Sequence, residues 1–410
     1  MGSSLKKHVI IILDGAADQP DSHGRTPFMR AYTPVLQTIV REGFTGLLQT
    51  LYDDLPRGSI VAQLGLLGYD PYKYYPCGRA SSEAMALHID LGENDIAFRA
   101  NLATITNNIL TSYNAQDIKS DQARLLIDKI NKELTVSYPR FELYHNTDFR
   151  NVLIIRDSKI HPDDVTCVLP HEHMGKPIQP GTIIHAKTKQ AVSLVDELNN
   201  YLVAVASVLK DEPANVLLPW SPSQQLRLPS FPLLQQGKCA IISNMDFLGG
   251  IANVSGIRFF KMGNGSWNTD YEAKGKKVCE LLDNDYFFVL CHINGPDEAS
   301  HMGDIYKKMV SIERSDARVI KRVYEYFKDH PQELGSVAIL PDHYTVTMNN
   351  DTCLRNGYQS HLITPVPFVI WDGIRKDMVV RFNEDSVAQG LYGQKPVNHC
   401  DLFSLMGVKP

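Results

Sequence analysis

The chain has 410 residues, 43% of them apolar, and its 41 Lys+Arg against 46 Asp+Glu leave a formal net charge of −5. That length suggests two or three domains, each able to bury its own core. The even spread of charge argues against a nucleic-acid backbone as main partner, and the composition excludes disordered, fibrous and membrane-spanning classes.

In chain order, His8–Leu13 is a continuous apolar run that stops at Asp14-Gly15, the pattern of a buried strand. Thr33-Pro34 reads as an N-cap and N1 proline, opening a helix through Leu36, Ile39 and Val40 that Gly43 ends. A strand over Phe44–Leu51 follows, and strand, helix, strand in that order points to a parallel α/β sheet. Ser59 opens an expected helix running to Tyr69. The middle third, 94–235, carries more polar residues and several proline-rich turns. It contains an expected strand over Asn151–Ile155 and amphipathic stretches at Asp121–Leu134 and Gln190–Leu209. It reads as a second α/β domain inserted between a first core part, 1–93, and a second, 236–410. There the opening grammar returns: strands at Cys239–Ile242, Tyr286–Ile293, Ser336–Leu340 and Val366–Trp371, with helices at Asp246–Val254 and Tyr306–Lys328.

The seven cysteines (Cys77, Cys167, Cys239, Cys279, Cys291, Cys353 and Cys400) include no CxxC pair, so neither a disulfide framework nor a zinc knuckle is expected. Lys6-Lys7-His8 leads into too short an apolar run for an export signal, which makes the cytoplasm the expected compartment.

Acidic and histidine residues gather where the expected strands end. Asp14 follows the first strand, Asp297 the Tyr286–Ile293 strand, and Asp342-His343 the Ser336–Leu340 strand. Ligands of open α/β sheets bind beyond those carboxyl ends. His301 shares a helical face with Asp297 at i, i+4, and His361 stands just before the last strand. Taken singly, each is more often a turn residue, a cap, or a core or surface histidine. Together, carboxylates and imidazoles suit Mn²⁺ or Zn²⁺, and these six candidate ligands, seven with Ser59, suit two metals at phosphoryl-transfer spacing. Ser59 reads either as a helix cap or as a nucleophile at an anion-attracting helix N-terminus. Pro170-His171-Glu172-His173 looks metal-like, but adjacent residues point different ways, which favours a role in local structure or substrate contact. The tyrosines 69, 72, 74 and 75, beside Pro71 and Pro76, are expected to pack a loop.

Leu13-Asp14-Gly15, Gly58-Ser59, Leu67–Pro71, Asp95–Asn101, Gly175-Lys176-Pro177, Leu228–Phe231, Gly295–His301 and Pro341-Asp342-His343, in that order, resemble the archaeal-type cofactor-independent phosphoglycerate mutases of the alkaline phosphatase superfamily. The resemblance runs nearly end to end. It implies an alkaline-phosphatase-like sheet flanked by helices, with the inserted second domain acting as a lid. It also implies two divalent metal ions, one held by Asp14, Ser59, Asp342 and His343 and the other by Asp297, His301 and His361. Ser59 then takes the phosphoryl group of a small phosphorylated carboxylate and returns it to the other hydroxyl, interconverting 3- and 2-phosphoglycerate. Arg79, Arg99, Arg150 and Lys274 match cationic positions expected to grip that substrate. Ile60 stands where most members have an acid. Gly78–Ala84 and Ile339–His343 lean toward a sister branch proposed to be homoserine kinases, so a kinase-like transferase, a phosphatase and a non-catalytic binding protein stand as alternatives.

Overall fold

The computed structural model describes residues 5–347 and 360–409; Cys353 lies outside them. The chain divides into two compact units, Met1–Tyr75 with Leu228–Pro410, and Pro76–Arg227.

The first unit is built on an eight-stranded sheet. Its order is Arg258–Lys261, Lys238–Ser243, Tyr286–Ile293, Lys7–Leu13, Leu334–Leu340, Val366–Trp371, Phe44–Gln49, Tyr392–Asn398. The first five strands run parallel. Val366–Trp371 runs against its neighbours on both sides, and Phe44–Gln49 and Tyr392–Asn398 pair in parallel. The sheet is therefore mixed, not all-parallel. The first strand and Phe44–Gln49 share it but are separated by two strands, because the chain's last third supplies the intervening partners.

Lys7–Leu13 sits in the middle, and Val9 through Leu13 are each 0% exposed, which is why the run lacks the alternation of a half-wet strand. Each such side chain contributes about 1.5–3 kcal/mol by leaving water. Its register decides the site: Leu13 pairs with Ile293 and Ile12 with Leu340, so three strands end level with one another.

Two helices depart from the sequence reading. Pro34–Glu42 forms, with Thr33 at its N-cap, yet the Thr33 side chain makes no cap bond. Instead the Val35 and Leu36 amides donate to the buried Asp316 carboxylate at 3.2 and 2.6 Å. Asp316 opens a π-helical segment, Asp316–Ile320, that interrupts the expected Tyr306–Lys328 helix into Ile305–Ser315 and Lys321–Asp329. A long-range carboxylate thus replaces a local hydroxyl as the cap, and no local pattern announces it.

The second unit has a five-stranded antiparallel sheet. Ile96–Thr106 pairs with Arg150–Ile155, Val216–Ser223 and Ile109–Ser112, and Phe141–Thr147 pairs with Arg150–Ile155. Helix Ser120–Leu134 buries Ala123, Leu126, Ile127 and Ile130, the i, i+3, i+4, i+7 stripe of an amphipathic helix. Val192–Val208 adds Tyr201, stacked on Phe141 at 4.8 Å. No helix among the described residues is long and apolar enough to cross a membrane.

Candidate functional site

The level strand ends bring Asp14, Asp297, Asp342 and His343 to one edge of the first unit. Asp14 follows Leu13, and its amide extends the ladder by donating to Ile293 O at 2.9 Å. Gly15 turns next with φ +60° and donates its N–H to Asp342 Oδ1 at 3.1 Å. Only glycine suits that position: a Cβ would overlap both Thr345 Oγ1 and Asp297 Oδ1. Gly15→Ala is expected to cost about 2–5 kcal/mol, from left-handed strain plus overpacking, read as a lowered urea midpoint.

Asp297 and His301 lie on the short helix Gly295–His301, one turn apart, with His301 Nε2 3.2 Å from Asp297 Oδ2. His361, on a two-residue strand paired with Tyr344–Thr345, places Nε2 3.5 Å from Asp297 Oδ1 and 3.3 Å from His301 Nε2. Beside this trio, His343 Nε2 lies 3.4 Å from Asp14 Oδ1, 3.7 Å from Asp342 Oδ2 and 3.1 Å from Ser59 Oγ. Ser59 is the first residue of helix Ser59–Leu66, with Gly58 rather than Ser59 at the N-cap, and is 4% exposed.

Charge is heavily concentrated here. Burial, then the nearby Asp342 and Asp297, push the Asp14 carboxyl well above its ordinary range. Burial would raise Asp297 too, but hydrogen bonds from His301 and His361 outweigh it and hold the carboxyl well below that range. Asp342 is likewise lowered, its burial offset by His343, His292 and the Gly15 amide. Asp14 Oδ1 is buried with no hydrogen-bond partner, as is Nε2 of His292, which lies 3.3 Å from Asp14 Oδ2. Three carboxylates, several imidazoles and orphaned buried polar atoms form a donor set that fits divalent metal cations. The ligand atoms of Asp297, His301 and His361 lie within 4.8 Å of one another, as do those of Asp14, His292 and Asp342, and those of Asp14, Asp297 and His343.

The comparisons with known proteins bear on the whole chain. It is 32% identical to the 2,3-bisphosphoglycerate-independent phosphoglycerate mutase of Methanothrix thermoacetophila over 98% of its length and 99% of that protein. The protein of the same name from Methanosarcina mazei gives the same identity and coverage. The chain belongs to the 2,3-bisphosphoglycerate-independent phosphoglycerate mutase family. The family model of that name matches residues 40–215. Among solved structures, a Pyrococcus horikoshii protein superposes with TM-score 0.75 at 26% identity, each chain 99% covered. The cofactor-independent phosphoglycerate mutase of Thermoplasma acidophilum shares the fold, with TM-score 0.61 at 24% identity over 98% of this chain and 99% of that one. Membership makes this chain an enzyme of the isomerase type that transfers phosphoryl groups.

The cationic positions of this mutase-family chain divide between the units. In the second unit, Arg99 stacks on Trp220 at 4.4 Å and pairs with Glu83 at 3.0 Å. Burial lowers its pKa, and Arg79 and Arg150 lie near enough to depress it further against the pull of Glu83. The exposed Arg150 packs over Phe149 at 4.3 Å. Lys274, in the first unit, is 0% exposed, and its ammonium donates to the His292 carbonyl at 2.9 Å. That bond braces the strand that carries His292.

His171 packs edge-on against Trp220, while His173 Nε2 donates to Pro177 O at 2.9 Å. The two imidazoles thus serve different local contacts. Cys77, His161 and Asp163 also approach one another, but burial and Asp163 push the thiol up to about 11 and the two partners are exposed. Tyr69 is buried against Tyr74 and Phe231, whereas Tyr72 stays exposed.

Sequence reasoning missed His292, Gln63 and Thr345. His292 hides inside the apolar strand Tyr286–Ile293, where an imidazole was itself the available signal. Gln63 Nε2 donates to Asp342 Oδ2 at 3.0 Å, one helical turn after Ser59.

Proposed function

We propose that this enzyme interconverts 3-phosphoglycerate and 2-phosphoglycerate through a phosphoserine at Ser59. The observation that supports this reading best is the serine's position. Its hydroxyl stands at a helix N-terminus, 3.1 Å from His343 Nε2 and beside the carboxylate and imidazole groups described above.

Asp297, His301 and His361 would hold one divalent metal ion, and Asp14, Asp342, His343 and Ser59 the other. Such ions, when bound, neutralise phosphoryl charge and lower the pKa of a coordinated hydroxyl. The protein's own part is positioning. Ser59 Oγ attacks phosphorus as the bond from phosphorus to the glycerate oxygen breaks, and the serine proton passes to that departing oxygen. The helix dipole favours the added negative charge. Glycerate then presents its other hydroxyl, the phosphoryl group leaves Ser59, and the serine regains its proton. Phosphoryl transfer asks chiefly for such alignment and charge stabilisation. The carboxylate and phosphate of the substrate suit the guanidinium forks of Arg79, Arg99 and Arg150.

The test is an enolase-coupled assay on 3-phosphoglycerate, with Mn²⁺ added and 2,3-bisphosphoglycerate omitted. Phosphoenolpyruvate should accumulate, stop on chelation of the metal, and resume when Mn²⁺ or Zn²⁺ is restored. Release of inorganic phosphate in its place would make the protein a phosphatase. Label passing from ATP to homoserine would make it a kinase.

A further inference from the structure

Thr345 is fully buried, and its backbone is fixed from both sides. Its amide donates to Ala17 O at 3.0 Å, and its carbonyl accepts from the Lys308 ammonium at 2.7 Å. It is also the direct cross-strand partner of His361. Its hydroxyl therefore has a fixed address, 2.7 Å from Asp297 Oδ1 and 3.0 Å from His343 Nδ1. One oxygen thus touches a member of each candidate ligand group. The missing Cβ of Gly15 leaves room for that contact, since a methyl there would meet both Thr345 Oγ1 and Asp297 Oδ1.

Proton counting makes this contact directional. A threonine hydroxyl has one proton to give and lone pairs to receive with. A carboxylate can only accept, so the hydroxyl proton points to Asp297. The oxygen is then left to accept, and the group facing it from the other side, His343 Nδ1, must carry a proton. A neutral imidazole has only one, so Nε2 is left with its lone pair. That lone pair faces Ser59 Oγ at 3.1 Å and Asp14 Oδ1 at 3.4 Å.

We propose that Thr345 is a positioning residue. Through its hydroxyl it holds His343 in the Nδ1–H form, with the Nε2 lone pair turned toward Ser59 and Asp14, and ties that choice to Asp297 in the other ligand group. The consequence for catalysis rests on the two-metal reading above, whereas the protonation pattern of His343 does not. Orienting partners of this kind typically change metal affinity 10–100-fold.

The experiment uses the full-length, metal-free protein carrying ¹⁵N-histidine, with long-range ¹H–¹⁵N correlation in mildly alkaline buffer. His343 is assigned by its loss in His343→Gln. Nδ1 of His343 should be protonated in the wild type; a bare Nδ1 would overturn the proposal without any variant being needed. Calorimetric titration with Mn²⁺ alone then compares Thr345→Val with Thr345→Ser. The valine variant should bind Mn²⁺ about 10–100-fold more weakly, and serine, which restores the hydroxyl, should return affinity to within about threefold of wild type. Equal affinity in valine and wild type, or no rescue by serine, would also overturn it. None of these readouts uses phosphoglycerate, so failure of the mutase assay and failure of the Thr345 proposal are told apart.

Discussion

Ser59→Ala is expected to lower phosphoglycerate turnover by more than about 10³-fold while leaving the protein folded. Loss of a nucleophile removes the covalent route altogether, and what survives comes only from binding and charge stabilisation. The structural cost is small. Ser59 gives up one hydrogen-bond contact, to His343 Nε2 at 3.1 Å, and a buried bond of that kind contributes about 0.5–1.5 kcal/mol. Alanine is a good helix former, and Gly58, not Ser59, holds the N-cap, so the helix keeps its start. The enolase-coupled rate measures the first effect and a urea midpoint the second. Trapping with labelled substrate adds a direct check: wild type should retain label on Ser59 after quenching, and the alanine variant none. A variant active within tenfold of wild type would remove the phosphoserine from the mechanism.

The residues of this site divide by how much of their role is local. Asp14, Asp297, Asp342 and His343 announce themselves because apolar strands end at them, and strand ends are where an open sheet presents its chemistry. His301 follows from Asp297 by helical spacing alone. The Asp297–His301 contact of 3.2 Å realises that spacing on a helix of only seven residues. The pairing of these residues across strands was not legible, because register is a property of the whole sheet. Leu13 against Ile293 and Ile12 against Leu340 are set by hydrophobic neighbours hundreds of residues away. His292 was overlooked for a different reason. It sits in a strand whose pattern reads as core, and burial makes a working polar residue look like a packed one. Asp316 is similar: its carboxylate caps a helix some 280 residues upstream in the chain, a service with no local signature.

Lys308 extends this point and carries the largest stability effect expected in the protein. On helix Ile305–Ser315 it falls on the buried face with Ser311, Ile312 and Ser315, and it is 0% exposed. An ammonium has three protons, and each finds an acceptor: Asp18 Oδ2 at 3.0 Å, Thr345 O at 2.7 Å and Ala17 O at 3.3 Å. Asp18 is 2% exposed, and its Oδ2 also accepts from Thr347 Oγ1 at 2.7 Å. Lys308→Met keeps most of the volume but strands the Asp18 carboxylate without a counter-charge. Breaking one side of a buried pair costs about 3–5 kcal/mol. Replacing both partners removes the stranded charge, so Lys308→Met combined with Asp18→Leu should destabilise less than Lys308→Met alone. That ordering separates an ion-pair effect from simple loss of packing, for which the two costs would add. Urea unfolding of the two single variants and the double reads it directly. A Lys308→Met variant within about 1 kcal/mol of wild type would show that the pair does not hold this part of the fold together. The same lysine fixes the Thr345 carbonyl. Its loss is therefore expected to loosen the hydroxyl between Asp297 and His343, and Mn²⁺ affinity should fall along with stability.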